Sequence, residues 1–431
     1  MPALTVGPEK MNNRILAEYW IETPHSLEYA AAKLAAAVSA GTFTDVPGES
    51  DQLKARFSAE IAGIEPLETA SGPSLPYRDD NAAAAGLEYH RAKVRLAVPL
   101  AVTGTELTTL LATIAGGIYA LRELSGIRIL DLGLPGEFMQ AHPGPQFGIG
   151  GTRALTFVHG RAIVASIIKP NIGLTPAQTA EIVRRLAEAG VDFVKDDEKM
   201  TDPPYSPFDE RVAAVMKAIN DHAERTGKKV MFAFNISHAD PETMVRRHDT
   251  VLRAGGTCVM VSVNQVGLGG LTYLRKRSQL PIHAHRNGWA ALTRCPYLGW
   301  EFRAWQKLLR LAGADHLHVN GIRNKYWEDD DSVVNSITAC LTPLCSERDR
   351  VFPVVGSGMW AGQVPDTYRR TRTLDLIYIC GGGILGHPDG PEAGVRSIHQ
   401  AWEAALADIP LETHARTQPE LRRAMEKFDS R

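Results

Sequence analysis

The chain has no long apolar run: no stretch approaches the roughly 20 residues that cross a bilayer, so no membrane span is expected. The opening residues, Met1-Pro-Ala-Leu, lack the basic segment followed by an apolar one that marks a secretory leader. An excess of charge of either sign is also missing, since 47 Lys and Arg face 49 Asp and Glu for a net of -2. That balance gives no electrostatic footing for nucleic acid or for an anionic membrane surface. Cysteine is sparse: Cys258, Cys295, Cys340, Cys345 and Cys380 are odd in number and lack metal-site spacing. They predict reduced thiols, mostly core filler, in a cytoplasmic protein. What remains is ordinary globular material, 44% hydrophobic and 22% charged. At 431 residues it exceeds what one core usually holds, so two domains are expected.

Residues 1–140 mix strands and helices. Arg14 to Glu22 is strand-like and ends at Thr23-Pro24, and Ser26 can cap a helix with Leu27, Ala31, Leu34, Ala35 and Val38 on one face. A Gly41-Thr42-Phe43-Thr44 loop and a polar, Gly/Pro-rich stretch near residues 71–86 follow. Arg91 to Val98 alternates, with Ala92, Val94, Leu96 and Val98 on one face and Arg91, Lys93 and Arg95 on the other. A helix over Glu106 to Leu124 and a strand over Ile127 to Leu132 complete a small α+β domain.

From residue 141 onward the rhythm becomes regular. Strands are predicted at Ile163–Lys169, Val191–Lys195, Val230–Asn235, Cys258–Val263, Leu280–His285, His316–Val319, Phe352–Val355 and Leu376–Cys380. Most are followed by amphipathic segments such as Pro176–Ala189, Glu210–Thr226, Pro241–Arg253, Phe302–Ala312 and Val395–Ala407. Eight strand–helix units predict a (β/α)8 barrel, and no glycine fingerprint follows the first strand to favour a doubly wound sheet.

Polar residues gather just past these strands, on the rim where barrels build active sites. They are Lys169 and Asn171; Lys195, Asp197 and Glu198; Asn235 and His238; His283, His285 and Arg286; His316, His318 and Lys325; Gly356-Ser357-Gly358; and Gly381-Gly382-Gly383. The run Val191-Asp192-Phe193-Val194-Lys195-Asp196-Asp197-Glu198 stands out, because a buried strand ending in crowded carboxylates needs a compensating charge and a hard cation supplies one. A solvated turn is the competing reading of that run. The glycine turns after the last two strands let backbone N–H groups approach a phosphate. Taken singly, a Gly-Gly-Gly turn or a lone histidine is more often structural.

These segments resemble the large subunit of ribulose bisphosphate carboxylase. The likeness is carried by Lys169-Pro170 with Gly173-Leu174, Asp192 to Glu198, His283-Ala284-His285-Arg286, Asp315-His316-Leu317-His318 and Gly381 to Pro388. Ile15-Leu16-Ala17 and Gly41-Thr42-Phe43-Thr44 are similar to its amino-terminal domain, so the resemblance covers nearly the whole chain. It implies a (β/α)8 TIM barrel after a smaller ferredoxin-like α+β domain. It also implies that Lys195 takes up CO2 as a carbamate and holds Mg²⁺ with Asp197 and Glu198. Lys169 then matches the lysine near the enolising carbon, His285 a contact to substrate hydroxyls, and Lys325 the lysine of a mobile loop. Arg286 and His318 match phosphate contacts. Asn171, Ser357, Gly358, Gly381 and Gly382 join the substrate- and phosphate-binding set. Thr42 would reach the site from a partner subunit, which implies a homodimer; no small subunit is implied.

Departures from the family pattern bear on the reaction. Asn171 stands where the carboxylases carry a second lysine, Ala37 where they carry a glutamate, Gly117 an asparagine, and Gly356 a serine, although Ser357 lies beside it. This pattern predicts a RuBisCO-like protein that enolises without fixing carbon. The expected substrate is a sugar monophosphate, with decarboxylation or C–C cleavage of a branched oxo acid (3-oxo-isoapionate 4-phosphate type) ahead of the alternatives. A methylthio-pentose phosphate enolase or isomerase of methionine salvage is one alternative. The other is a barrel that binds a sugar phosphate without turnover. Asn171, His238, Arg286 and Asn320 make the rim polar, whereas Trp289 and Trp360 could line an apolar pocket.

Overall fold

The computed structural model describes residues 13–41, 46–77 and 88–429. The Gly41-Thr42-Phe43-Thr44 loop after Gly41, and residues 78–86 of the polar stretch, lie outside the described residues. Strands are numbered in chain order: β1 (Arg14–Thr23), β2 (Glu60–Pro66), β3 (His90–Pro99), β4 (Gly126–Gly133), β5 (Ile163–Ile167), β6 (Phe193–Lys195), β7 (Met231–Asn235), β8 (Cys258–Ser262), β9 (Ile282–His285), β10 (Leu298–Trp300), β11 (His316–Asn320), β12 (Phe352–Gly356) and β13 (Ile377–Ile379). Two compact units result, one built from residues up to His142 with Gly288–Leu308, the other from Pro143–Asn287 with Leu309 onward.

The first unit is a five-stranded sheet in the order β10-β4-β1-β3-β2. Its long central strands pair antiparallel, with Ile15 opposite Val98 and Ile21 opposite Ala92. Ala92, Val94 and Leu96 are fully buried while Arg95 is exposed, the alternation expected of a sheet with one wet face. The helix Leu27–Ala37 begins where Ser26 Oγ accepts from the Tyr29 N–H at 3.3 Å. The helix predicted over Glu106 to Leu124 is shorter than expected: it ends at Ala115, and a single 3-10 turn, Ile118–Ala120, follows. Gly116 and Gly117 lie between the two, where each glycine costs a helix about 1 kcal/mol relative to alanine.

The second unit is a closed barrel, β11-β12-β13-β5-β6-β7-β8-β9, with all neighbouring strands parallel. Its eight strands fall at the eight predicted places. Phe193, Met231, Met260, Phe352, Val354 and Ile377 interleave in the lumen as a dry cluster, so the barrel is a packed core. Helices begin at encoded caps. Thr175 and Gln178 form a reciprocal capping box, and Asp240 accepts from Glu242 N–H and Thr243 N–H. Of the cysteines, Cys258, Cys340 and Cys380 are buried and all five are free thiols.

At the amino-terminal end of β11, Asp315 is fully buried. Its carboxylate accepts from Arg275 (2.9 Å) and from the backbone N–H groups of Phe147 (2.6 Å), Gly148 (2.9 Å) and Ile282 (2.8 Å). Four donors offset the cost of burying that charge.

Candidate active site

The site is built outward from β6. Alternation along this short strand turns Phe193 and Lys195 into the lumen, and Lys195 is only 1% exposed. Its amine donates to the Asp196 carbonyl at 3.0 Å. Burial drags the Lys195 ammonium down to about 8, although Glu198, Asp197 and Asp196 pull it back up part of the way.

The acidic residues of the run divide by position. Asp197, also buried, lies 3.4 Å from Lys169 Nζ and 3.7 Å from Lys199 Nζ. Half-buried Glu198 lies 3.8 Å from His285 Nε2. Burial pushes the Glu198 carboxyl up, but its backbone N–H and the Lys195 and Lys199 charges together hold it below the usual glutamate value. Asp196 turns elsewhere, accepting from the Asn235 N–H at 3.0 Å and facing Arg211 Nε at 3.5 Å in a fully buried pair. Asp192, at the opposite end of the strand, takes both Arg161 guanidinium nitrogens (2.5 and 2.8 Å) and Lys228 Nζ (2.8 Å). Asp197 and Glu198 are thus the carboxylates that remain beside the lysines at the rim.

Asn235, absent from the expected site set, holds this turn in place. Its buried amide donates to the carbonyls of Asp197 (3.2 Å) and Glu198 (3.0 Å), and its own oxygen accepts from Ser237 Oγ at 2.7 Å. Its place at the end of a barrel strand marked it as a rim residue, but nothing in the local pattern announced its partners.

Across the lumen, β9 and β11 contribute a column of histidines. His285 and His318 sit with ring centroids 4.5 Å apart, and His283 and His316 lie one layer deeper at 5.7 Å. Burial lowers all four well below the ordinary histidine value, to about 3 for His316. His285 Nδ1 lies 3.2 Å from both the N–H and the side-chain oxygen of Asn287, and its Nε2 faces Glu198. Neither ring nitrogen of His283 has a hydrogen-bond partner among the described residues.

Arg286 follows β9, and its guanidinium donates to Glu328 at 2.7 Å in a buried ion pair. Glu328 also accepts from Asn320 Nδ2, and from Ser332 Oγ at 2.8 Å. Asn320 in turn accepts from Ser357 Oγ at 2.7 Å. Lys325 donates its backbone N–H to the Ser357 carbonyl at 3.0 Å, and its stem packs over Gly358, whose φ of +96° suits glycine. After β13 a Cβ on Gly381 would lie 2.3 Å from Ile167 Cγ2, whereas Gly382 faces open space. Asn171 is half-buried and His238 exposed, its Nδ1 accepting from the Asp240 N–H. The barrel therefore brings together Lys169, Lys195, Asp197, Glu198 and His285. Arg286, Lys325, Ser357 and Gly358 are joined through Asn320 and Glu328. Thr42 lies outside the described residues.

Among the described residues, no group of three or more His, Cys, Asp or Glu side chains stands ready to hold a metal ion. No described helix is long and apolar enough to cross a membrane.

Comparison with known proteins accords with this geometry. The family model for the ribulose bisphosphate carboxylase large chain, catalytic domain, matches residues 148–428, and the model for the N-terminal domain of that chain matches residues 7–138. A 3-oxo-isoapionate-4-phosphate decarboxylase from Rhizobium etli is 53% identical over 96% of this chain and 98% of its own length. A 3-oxo-isoapionate-4-phosphate transcarboxylase/hydrolase from Xanthobacter autotrophicus is 46% identical over 96% of this chain and 99% of its own. The crystal structure of a rubisco-like protein from Burkholderia fungorum superposes with a TM-score of 0.91 at 43% identity, covering 96% of this chain and 100% of that one. The chain belongs to the ribulose bisphosphate carboxylase large-chain family, as an enzyme of its non-carboxylating, RuBisCO-like branch.

Proposed function

We propose that this enzyme decarboxylates a branched 3-oxo acid sugar monophosphate of the 3-oxo-isoapionate 4-phosphate type, without carboxylase activity. The observation that carries the reading is the convergence of Lys169, Lys195, Asp197 and Glu198 at one end of the barrel, with the Lys195 ammonium lowered to about 8. The curated relatives act on that acid by name and match this chain nearly end to end.

The donor set fits Mg²⁺ on a condition. Asp197 and Glu198 supply carboxylate oxygens of the kind a hard dication prefers, but a lysine ammonium is no ligand. Uptake of CO2 would convert the Lys195 amine, with loss of a proton, into a third oxygen donor. A buried amine whose ammonium form is destabilised is suited to that change. Asp197 and Glu198, facing lysine and neutral imidazole at 3.4 to 3.8 Å, remain available as ligands. When bound, Mg²⁺ supplies the charge that stabilises an enolate oxygen.

A 3-oxo acid loses CO2 when the carboxyl C–C bond breaks and its electron pair moves into the ketone as an enolate; the α-carbon then takes up a proton. In this reading Lys169 Nζ, aligned by Asp197, delivers that proton. His285 presents its Nε2 side to a substrate oxygen and stays neutral because it is buried. The glycine turns at Gly358 and at Gly381–Gly382 seat the phosphate through backbone N–H groups, with Lys325 beside them, and Asn171, Arg286, His318 and Ser357 line the remainder. Thr42 would complete the site from the second subunit of a homodimer.

The test is incubation with 3-oxo-isoapionate 4-phosphate, Mg²⁺ and bicarbonate in D2O, followed by NMR. Release of CO2 with deuterium at the α-carbon is expected. Exchange without release would move the assignment to an enolase or isomerase, C–C hydrolysis to a hydrolase, and binding with neither to a sensor. Sedimentation of the purified chain as a monomer would remove the shared-site element.

A further inference from the structure

The basic groups of the rim differ in how far they are already neutralised. Arg286, only 6% exposed, holds its guanidinium 2.7 Å from Glu328, a buried carboxylate three residues beyond Lys325 on the same loop. Glu328 is firmly seated. Asn320 and Ser332 donate to its carboxylate, Asn324 Nδ2 donates to its carbonyl at 3.0 Å, and the helix Asp330–Leu341 starts directly after it. A guanidinium paired in a low-dielectric setting still offers N–H groups, but its net charge toward a third party is close to zero. A phosphate dianion reaching Arg286 would meet the Glu328 carboxylate within a few ångströms and be repelled by it. A neutral hydroxyl or carbonyl oxygen carries no net charge for that carboxylate to repel. In the reading above, the glycine turns at Gly358 and Gly382, which carry no side chain of their own, would seat one phosphate through backbone N–H groups.

We infer that Glu328 is a specificity-determining residue: by neutralising Arg286 it restricts the site to ligands bearing one phosphate and rejects bisphosphates. This rests on the sugar-monophosphate reading above and adds the residue that enforces it. Such exclusion by a fixed like charge is a common route to selectivity between closely related ligands.

The test is calorimetric titration of the full chain with ribitol monophosphate and ribitol bisphosphate, unreactive probes, in Mg²⁺ and bicarbonate. Wild type is expected to bind the monophosphate at least tenfold more tightly. Glu328→Gln, similar in shape but uncharged, is expected to narrow the ratio of the two dissociation constants tenfold or more. Equal binding of both probes by wild type overturns the inference, as does an unchanged ratio in the variant; should Glu328→Gln not fold, the wild-type ratio decides alone. Turnover of the 3-oxo acid phosphate is read separately. Failure there with the ratio as expected sinks the decarboxylase reading while leaving Glu328 in its role.

Discussion

The buried histidines make the barrel acid-sensitive, and His316 allows the size of the effect to be worked out. Thr152 Oγ1 spends its proton on the Gly148 carbonyl at 2.7 Å, so at 2.8 Å from His316 Nε2 it must act as acceptor. His316 Nε2 therefore carries the hydrogen, and a second proton would have to enter at Nδ1, which has no partner among the described residues. That, with complete burial, places its folded-state value at about 3. The value is depressed relative to the unfolded chain, where histidine titrates near 6.5, so the stability it confers is present above about 6.5 and is lost as pH falls toward 3. Between pH 7 and pH 5 the unfolded chain gains about 0.7 of a proton at this position and the folded chain gains almost none, an integrated loss of about 2 kcal/mol. His283, His285 and His318 act with the same sign. The perturbation is His316→Gln, which retains an N–H donor for Thr152 and cannot titrate. Urea unfolding of both proteins at pH 7 and pH 5, followed by far-UV circular dichroism, gives the difference of differences. Wild type should lose about 2 kcal/mol more than the variant over that interval. Equal losses would refute the neutral, buried state of His316.

Other expectations follow from the same contacts. Lys195→Ala should abolish Mg²⁺-dependent turnover in the CO2-release assay, and a variant that retains turnover would remove Lys195 from the metal-binding set. Asn235→Ala removes two donors to the turn that carries Asp197 and Glu198; a stability loss of about 1 to 3 kcal/mol in urea and weaker Mg²⁺ binding by calorimetry are expected. Asp315→Asn leaves Arg275 without its buried counter-charge, and a destabilisation of about 3 to 5 kcal/mol should appear as a lowered urea midpoint.

What could be read from the sequence was whatever repeats with a short period. The eight barrel strands announce themselves as apolar runs ending in polar residues, and the helices by their caps and stripes. β2 gave no such signal, because its burial pattern shows no buried face and hence no alternation. β10, which follows β9 in sequence, was not among the predicted strands, and Leu298 and Trp300 pair with Ile127 and Ile129 of the first sheet. Long-range pairing of that sort leaves no periodic trace. The site divides similarly. Lys195, Asp197 and Glu198 stood out as one run, and their proximity to Lys169 and His285 follows from strand order. Which carboxylates stay at the rim was settled by Arg211 taking Asp196, and the neutralisation of Arg286 by a glutamate 42 positions away, neither of which leaves a local pattern.

The two aspartates that flank β6 and stand apart from the rim lysines have a consequence of their own. β6 is three residues long, too short for its ladder hydrogen bonds alone to fix its alignment against β5 and β7. A slip of one residue would swing Lys195 out of the lumen and into the helix layer. Asp192, tied to Arg161 and Lys228 below, and Asp196, tied to Arg211 above, pin the strand at both ends against that slip. Anyone redesigning this barrel for another reaction can exchange the lumen-facing groups between these pins, but the pins themselves belong to the scaffold.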